Sequence, residues 1–320
     1  MSVLDKKHFK TEAAAFRYLE NILWNEGVVC PHCGSVDSAG RLKGVKDKKG
    51  RVRASLWKCY AKECRKQFRV TVGTVFESML IPLHKALQAV HLLCSSKKGI
   101  SAHQLSRTLE LDYKSAWFLA HRIREAMRDG TLAPMGGSGQ TVEADETYIG
   151  RLEGVPKQRH GGAHKNVVLT LVERGGSARS FHVDSTSIAD IVPVVRQNVR
   201  RESHFMTDEA QHYKALGREF ESHGRVEHTA EEYVRYPQGD NPIIHSNTVE
   251  NYYSIFKRGM KGIYQHCAEK HLHRYLAEFD FRYSNRVRLG IDDENRAARA
   301  LKGITGKRLT YRRTDENAPM

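Results

Sequence analysis

No stretch of this 320-residue chain approaches the ~20 apolar residues that a membrane span needs. Residues 1–10 are charged and lack the apolar h-region of a secretory signal. Both absences predict an intracellular protein, cytoplasmic and not membrane-bound. Cysteine is sparse, at six residues. In a reducing compartment such thiols serve as metal ligands or buried groups rather than as disulfides. No internal repeat is visible, so the chain is not a repeat array. Acidic residues are scarce at the front: residues 1–140 hold 12 Asp and Glu against 24 Lys and Arg, whereas 141–320 hold 25 against 28.

What is present is positive charge. The net charge of +15 and pI near 9.6, concentrated in the front half, are an electrostatic footprint for a polyanion, most simply DNA or RNA. The length allows a sizeable core and two or three domains.

The periodicity changes along the chain. Phe9, Ala13, Phe16, Leu19 and Leu23 are spaced as one amphipathic helix over Phe9–Trp24. A Cys- and Lys-rich stretch follows, then three helical segments between Pro82 and Met127. Ser101 with Gln104 forms a capping-box pattern, and Asp112 is an N-cap. Thr131–Gln140 has linker composition. Beyond it come strand patterns over Thr141–Gly150, Val167–Glu173, Ala178–Val183 and His204–Thr207. Helical patterns cover Ile188–Val199, His212–Phe220, Val249–Arg258 and Lys270–Arg286. The expected division is an N-terminal helix (1–27), a zinc ribbon (28–72), a helix-turn-helix-like helical domain (80–130), an α/β catalytic domain (140–290) and a charged C-terminal tail (291–320). The α/β ordering is compatible with a ribonuclease H-like fold, whose first three strands are antiparallel, but other mixed folds share it.

Cys30 and Cys33 form C-x-x-C, and Cys59 and Cys64 form C-x₄-C, with twenty-five residues between the pairs. Two tight turns, each supplying two thiolates, make a closed tetrahedral site of the structural zinc type. So small a module needs its metal to hold a core. Between the pairs, Arg41–Arg53 carries seven basic residues and one acidic one. Lys43, Lys46, Lys48, Lys49, Arg51 and Arg53 are candidate phosphate contacts, and a solvated loop is an equally open reading. Ser101–Met127 reads as a helix-turn-helix, with Lys114, Arg122 and Arg124 on a basic face of its last helix. A plain helical bundle is the alternative.

Three carboxylates carry the chemistry. Asp145 (Val-Glu-Ala-Asp-Glu-Thr-Tyr) and Asp208 (Phe-Met-Thr-Asp-Glu) sit in or after strand patterns, and Glu250 (Asn-Thr-Val-Glu-Asn-Tyr-Tyr) opens a helical one. A phosphodiester is anionic and its alkoxide leaves poorly; two magnesium ions ~3.5–4 Å apart lower both barriers. Magnesium takes oxygen ligands, so carboxylates from separate elements must converge. Lys257 lies within roughly 20° of Glu250 around a helix axis and would face the same site. Glu143, Glu146 and Glu209 neighbour the candidates and are open to confusion with them.

These residues resemble a known group. The cysteine pattern, the Val-Glu-Ala-Asp-Glu-Thr-Tyr-Ile-Gly run, the segment His245–Gly262 and the run His271–Arg286 are similar to bacterial insertion-sequence transposases with a zinc ribbon and a DDE-type core, the ISXO-two-like group. The resemblance spans about residues 10–310. It implies a ribonuclease H-like core and metal-dependent DNA cleavage at element ends. The 3′ hydroxyl would then be transferred to target DNA. Asp145 and Asp208 match the first two acidic ligands; the third position varies in this group, so Glu250 and Asn247 are both candidates, with Glu250 favoured. Lys257, with Arg258 beside it, matches the downstream basic position. Also implied are two Mg²⁺ (or Mn²⁺), one structural Zn²⁺, double-stranded DNA partners (terminal inverted repeats and target), a homo-oligomer holding two ends together, and a place at the bacterial nucleoid. The rivals are a non-catalytic transposase-derived DNA-binding protein, a hydrolytic metal-dependent nuclease of the same fold, and a zinc-ribbon transcription factor.

Overall fold

The structure, a computed structural model, describes residues 2–47, 50, 52–130, 132–159, 161–227, 231–237, 239 and 242–310. The chain forms two compact units. One comprises residues up to 96, 100–127 and 293 onward; the other comprises 97–99 and 128–292.

The first unit opens with α1 (Lys7–Lys10) and α2 (Glu12–Leu23). The single helix expected over Phe9–Trp24 is therefore broken, and Thr11 breaks it. Its extended backbone (φ −129°, ψ 139°) lets the hydroxyl accept the Ala14 N–H and start a new helix. A three-stranded antiparallel sheet follows: β1 (Ala39–Leu42), β2 (Leu56–Cys59) and β3 (Gln67–Phe68). Buried Glu20 of α2 ties the helix to this sheet by accepting from Ser55, Arg41 and, at 2.8 Å, the Trp57 indole. Three helices come next: α3 (Leu83–Ser95), α4 (Ala102–Leu109) and α5 (Tyr113–Met127). Ser101 accepts the Gln104 N–H at 3.1 Å and caps α4; Asp112 accepts the Ser115 N–H at 3.0 Å and caps α5. Glu110 turns the chain between them with a left-handed φ of 51°. Leu87, Val90, Leu105, Leu109, Leu119 and Ile123 are buried in this unit.

The second unit is built on β4 (Thr141–Ile149), β5 (Asn166–Glu173), β6 (Ala178–Val183), α6 (Ile188–Asn198), β7 (His204–Thr207), β8 (Ser222–Arg225), α7 (Asn247–Gly259) and α8 (Leu272–Ser284). Its sheet runs β6-β5-β4-β7-β8. The first three strands pair antiparallel, whereas β7 lies parallel to β4 and β8 parallel to β7. This is a ribonuclease H-like core. β5 is a β-branched run buried on both faces, as a central strand requires. Strand alternation splits the core in two. Val142, Ala144, Leu169 and Leu171 pack with Ile191, Val192 and Val195 of α6. Val168 and Val172 pack on the opposite face with Val249, Tyr252, Tyr253 and Phe256 of α7 and Leu276 and Phe279 of α8. Gly259 permits the α7–α8 contact, because a Cβ there would fall 2.4 Å from the Phe279 ring.

Three expectations are corrected here. Within the linker expected over Thr131–Gln140, residues 135–137 are not free. Buried Met135 bridges Val199, and the Gly137 N–H reaches Ser203 at 2.9 Å. Gly136 is required there, with φ at +77° and Ser203 2.2 Å from where a Cβ would sit. The helix expected over His212–Phe220 is a short 3₁₀ turn, Gln211–Ala215, and the chain then enters β8. The charged tail expected from residue 291 instead contains α9 (Asp293–Lys302), which packs on α3 in the first unit through buried Ala297, Ala300 and Leu301. Residues 305 and 74 also form a bridge. No helix among the described residues is long and apolar enough to cross a membrane.

Candidate functional site

Asp145 lies on β4 two residues beyond Glu143, which pairs in parallel with Met206 of β7. Continuing that register sets Asp145 beside Asp208, the residue after β7. The alternation of β4 decides which acidic side chains share a face. Glu143 and Asp145 face α7. Glu146 faces the α6 side, where it accepts from the Tyr213 hydroxyl and lies 3.1 Å from His212 Nε2. The third candidate, Glu250, is in the first turn of α7, which packs on β4 and β5.

Asp145 registers this crowding. Burial, then the charges of Glu146, Asp208 and Glu250, push its carboxyl up to about 7, although the Glu146 N–H donating at 2.7 Å pulls the other way. Burial lowers the His212 pKa, but the Glu146 hydrogen bond and the charges of Glu146, Asp208 and Asp145 outweigh it, so the net shift is upward. Asp208 also accepts the Ala210 N–H at 3.0 Å, which turns the chain after β7.

Asn247 and Glu250 are exposed and three residues apart on α7, so both present to one side of its first turn. Ser246 donates to Glu250 Oε1 at 2.7 Å. Further along that face, the Tyr253 hydroxyl donates to the Asp145 carbonyl at 2.5 Å and the Val168 carbonyl at 3.1 Å. The Lys257 ammonium lies 5.7 Å from the centre of the Tyr253 ring. Lys257 thus shares the face of Glu250 and Tyr253, whereas neighbouring Arg258 is exposed. The oxygens of Asp145, Asp208 and Glu250 do not all come within 4.8 Å of one another. Among the described residues, only the four ribbon cysteines form such a group of three or more.

Those cysteines fit zinc closely. Cys30 Sγ is 3.8 Å from Cys64 Sγ, and Cys33 Sγ is 3.7 Å from Cys59 Sγ. A tetrahedron with Zn–S bonds of ~2.3 Å has edges of about 3.8 Å. Each pair sits on a turn: the Gly34 N–H returns to the Cys30 carbonyl at 2.8 Å, and the Arg65 N–H to the Ala61 carbonyl at 3.3 Å. Gly34 and Arg65 both take positive φ, at 75° and 53°. The Ser35 hydroxyl and backbone hold the Cys33 thiol down to about 6, whereas burial pushes Cys30 up to about 11. Bound zinc, as a cation, would favour the thiolate at both.

The basic candidates divide. Lys43, Lys46 and Arg53 are exposed on the arm between β1 and β2, which closes on itself where Lys46 bridges Val52. Lys48, Lys49 and Arg51 lie outside the described residues. Lys114 is exposed at the start of α5. Arg122 and Arg124, expected on the same basic face, are corrected. Arg122 is buried, donates to the Glu77 carbonyl at 3.0 Å and stacks on Phe118, and Arg124 is only 2% exposed. Burial in the helical unit takes both side chains out of solvent. Sequence reasoning also passed over Glu143, Arg174 and Tyr253, which tie α7 to the sheet. The available signal for Glu143 was its two-residue offset from Asp145, which puts both on one strand face.

Residues 10–67 match the transposase zinc-ribbon domain, and residues 136–284 match the ISXO2-like transposase domain. The chain is also similar to the "uncharacterized protein in transposable element ISH50" of Halobacterium salinarum. The two are 25% identical over 301 residues, 86% of this chain and 92% of that protein. That host is an archaeon, so similarity extends beyond the bacterial proteins that the sequence resembles. The chain thus carries a transposase zinc-ribbon domain ahead of an ISXO2-like transposase domain on a ribonuclease H-like core.

Proposed function

We propose that this protein is a DDE-type DNA transposase. It cuts a DNA strand at the ends of its element and joins the freed 3′ hydroxyl to target DNA. The observation that carries this reading is the placing of buried Asp145 among Glu146, Asp208 and Glu250: burial first, then those charges, push its carboxyl up to about 7. Clustered carboxylates on two adjacent strands and a helix are an all-oxygen donor set, which suits a divalent cation of the magnesium class. Asp145, Asp208 and Glu250, or Asn247 in place of Glu250, would hold Mg²⁺ or Mn²⁺. Bound there, such ions supply the positive charge that activates an attacking oxygen and stabilises a leaving one.

The chain's own residues bind and orient the DNA. Lys257, on the Glu250 face of α7, neutralises a phosphate next to the scissile bond. Arg258, exposed beside it, contacts the flanking backbone. Cleavage adds water across the phosphodiester and leaves a 3′ hydroxyl on the element end. In strand transfer that hydroxyl becomes the nucleophile, and a target 3′ oxygen leaves with its proton. The zinc-bound ribbon arm (Lys43, Lys46, Arg53) and the N-terminus of α5 (Lys114) bind the terminal repeats, largely through phosphates. Two ends must meet, so the working form is a homo-oligomer on the cytoplasmic nucleoid.

The test is a strand-transfer assay with Mg²⁺ or Mn²⁺, a labelled duplex from the DNA flanking the gene, and supercoiled plasmid. Wild type should join label to plasmid. Asp145→Asn should bind the duplex without cutting it. Separate Glu250→Gln and Asn247→Ala variants identify the third ligand by which one loses cleavage. Retarded duplex with neither cutting nor joining favours a DNA-binding protein without catalysis, and cutting without joining favours a hydrolytic nuclease.

A further inference from the structure

α7 does not cap itself. Its N-cap residue, Ser246, makes no side-chain bond to the free N–H groups of the first turn; its hydroxyl goes to Glu250 instead, at 2.7 Å. The cap comes from the sheet. Fully buried Glu143 accepts the Thr248 and Val249 N–H groups at 2.7 and 3.0 Å through Oε2, and the Thr248 hydroxyl at 2.7 Å through Oε1. Arg174, just after β5, donates Nε to the same carboxylate at 2.6 Å. Its other nitrogens donate to the Ile243 and His245 carbonyls at 2.6 and 2.9 Å, on the segment leading into α7. His245 Nδ1 lies 3.1 Å from Glu143 Oε1.

We infer that Glu143 and Arg174 are positioning residues that fix the first turn of α7 against β4, and so set where Asn247 and Glu250 stand relative to Asp145. The inference rests on the metal-site reading above. Four features support it. Glu143 shares its strand face with Asp145, two residues away. An anion at a helix N-terminus is also favoured by the helix dipole. The two carboxylate oxygens are occupied by donors from two separate segments, the start of α7 and Arg174 after β5, so the clamp has one geometry. The turn it fixes contains both candidates for the third ligand. Residues that orient metal ligands in this way alter metal affinity when lost, typically by about 10–100-fold.

Glu143→Gln puts an amide N–H among four donors and is expected to unfold the unit, so milder variants carry the test. Thr248→Val removes one hydroxyl donor, Thr248→Ser keeps it, and Arg174→Gln removes the guanidinium from a partly exposed position. Each full-length protein is titrated with Mn²⁺, free Mn²⁺ is counted by electron paramagnetic resonance, and the Mg²⁺ dependence of duplex cleavage is measured alongside. Thr248→Val and Arg174→Gln should weaken Mn²⁺ uptake about ten-fold or more and raise the Mg²⁺ needed for half-maximal cleavage by a similar factor. Zinc content and duplex binding should stay as in wild type, and Thr248→Ser should stay near wild type throughout. Unchanged Mn²⁺ affinity in both variants overturns the inference, whether or not cleavage falls. If wild type takes up Mn²⁺ but neither cuts nor joins DNA, the transposase reading fails, and the Mn²⁺ affinities still decide the positioning role. Wild type that takes up no Mn²⁺ overturns both.

Discussion

The Tyr253 hydroxyl donates to the backbone carbonyl of Asp145 at 2.5 Å. The helix carrying Glu250 is thereby bonded to the strand at Asp145 itself, one turn beyond the clamp made by Glu143. A buried hydroxyl that also reaches the Val168 carbonyl spans two strands of the sheet. Tyr253→Phe should therefore destabilise the protein by about 1–3 kcal/mol, the cost of leaving buried acceptors without their donor. Urea unfolding of the two proteins measures it. A variant as stable as wild type would mean that this contact does not hold α7.

The ribbon should contain one zinc per chain. Its sulfurs already stand at tetrahedral spacing, and Cys30 and Cys59 are buried with Phe68 in a core too small to persist alone. Cys59→Ser should remove the zinc and unfold the ribbon, with loss of duplex binding. Metal analysis together with circular dichroism checks this. Zinc-free protein with a fully folded ribbon would contradict it.

Lys114 and Arg124 should behave oppositely. Lys114 is exposed at the start of α5, so Lys114→Ala should leave stability unchanged and lower the salt dependence of duplex binding by about one phosphate contact. Arg124 is 2% exposed. Truncating so large a buried side chain should cost about 2–5 kcal/mol of stability, with DNA affinity changing only through unfolding. Binding isotherms at several salt concentrations, beside thermal melts, separate the two effects.

Asp280 gives a pH signature. Burial pushes its carboxyl up to about 6, against the hydrogen bonds it accepts from Tyr252 and Ser180. Its ordinary value is 3.8. Between those values the folded state holds a proton that the unfolded state has released. The stability contributed by this group is thus full below pH ~3.8 and is lost as pH rises through about 6. Asp280→Asn does not titrate. From pH 4 to pH 7 the stability of wild type should fall relative to the variant by about 1–3 kcal/mol. Parallel unfolding curves across that range would show that Asp280 ionises normally.

Much of this was legible in the sequence because it is local. The two cysteine pairs carry their spacing with them, and Pro31 and Gly34 supply turn chemistry. Val167–Glu173, Ala178–Val183 and His204–Thr207 read as strands because each is an apolar or β-branched run, and the structure has strands there. β8 was missed for the same reason in reverse. Ser222-His-Gly-Arg has no apolar pattern, since an edge strand need bury little. The break at Thr11 was hidden because the apolar spacing runs through it, and only the extended backbone at that residue reveals the cap.

Asp145, Asp208, Glu250 and Lys257 could be nominated from sequence, as acids at the ends of strand patterns and a base two helical turns on. Three acids in four residues look alike in sequence; the folded strand turns Glu146 to the opposite face from Asp145, and Glu143, on the same face as Asp145, is engaged by the N–H groups that open α7. Local pattern sufficed for the cysteine turns, strand runs, helix caps and excess of cations. Tertiary structure alone decided that Glu143 caps a helix from a neighbouring strand, that Arg122 and Arg124 turn inward, and that α9 joins the N-terminal helices. Such choices depend on which partner a charged or polar group meets once water is excluded, and that partner lies tens to hundreds of residues away, beyond the reach of any local pattern.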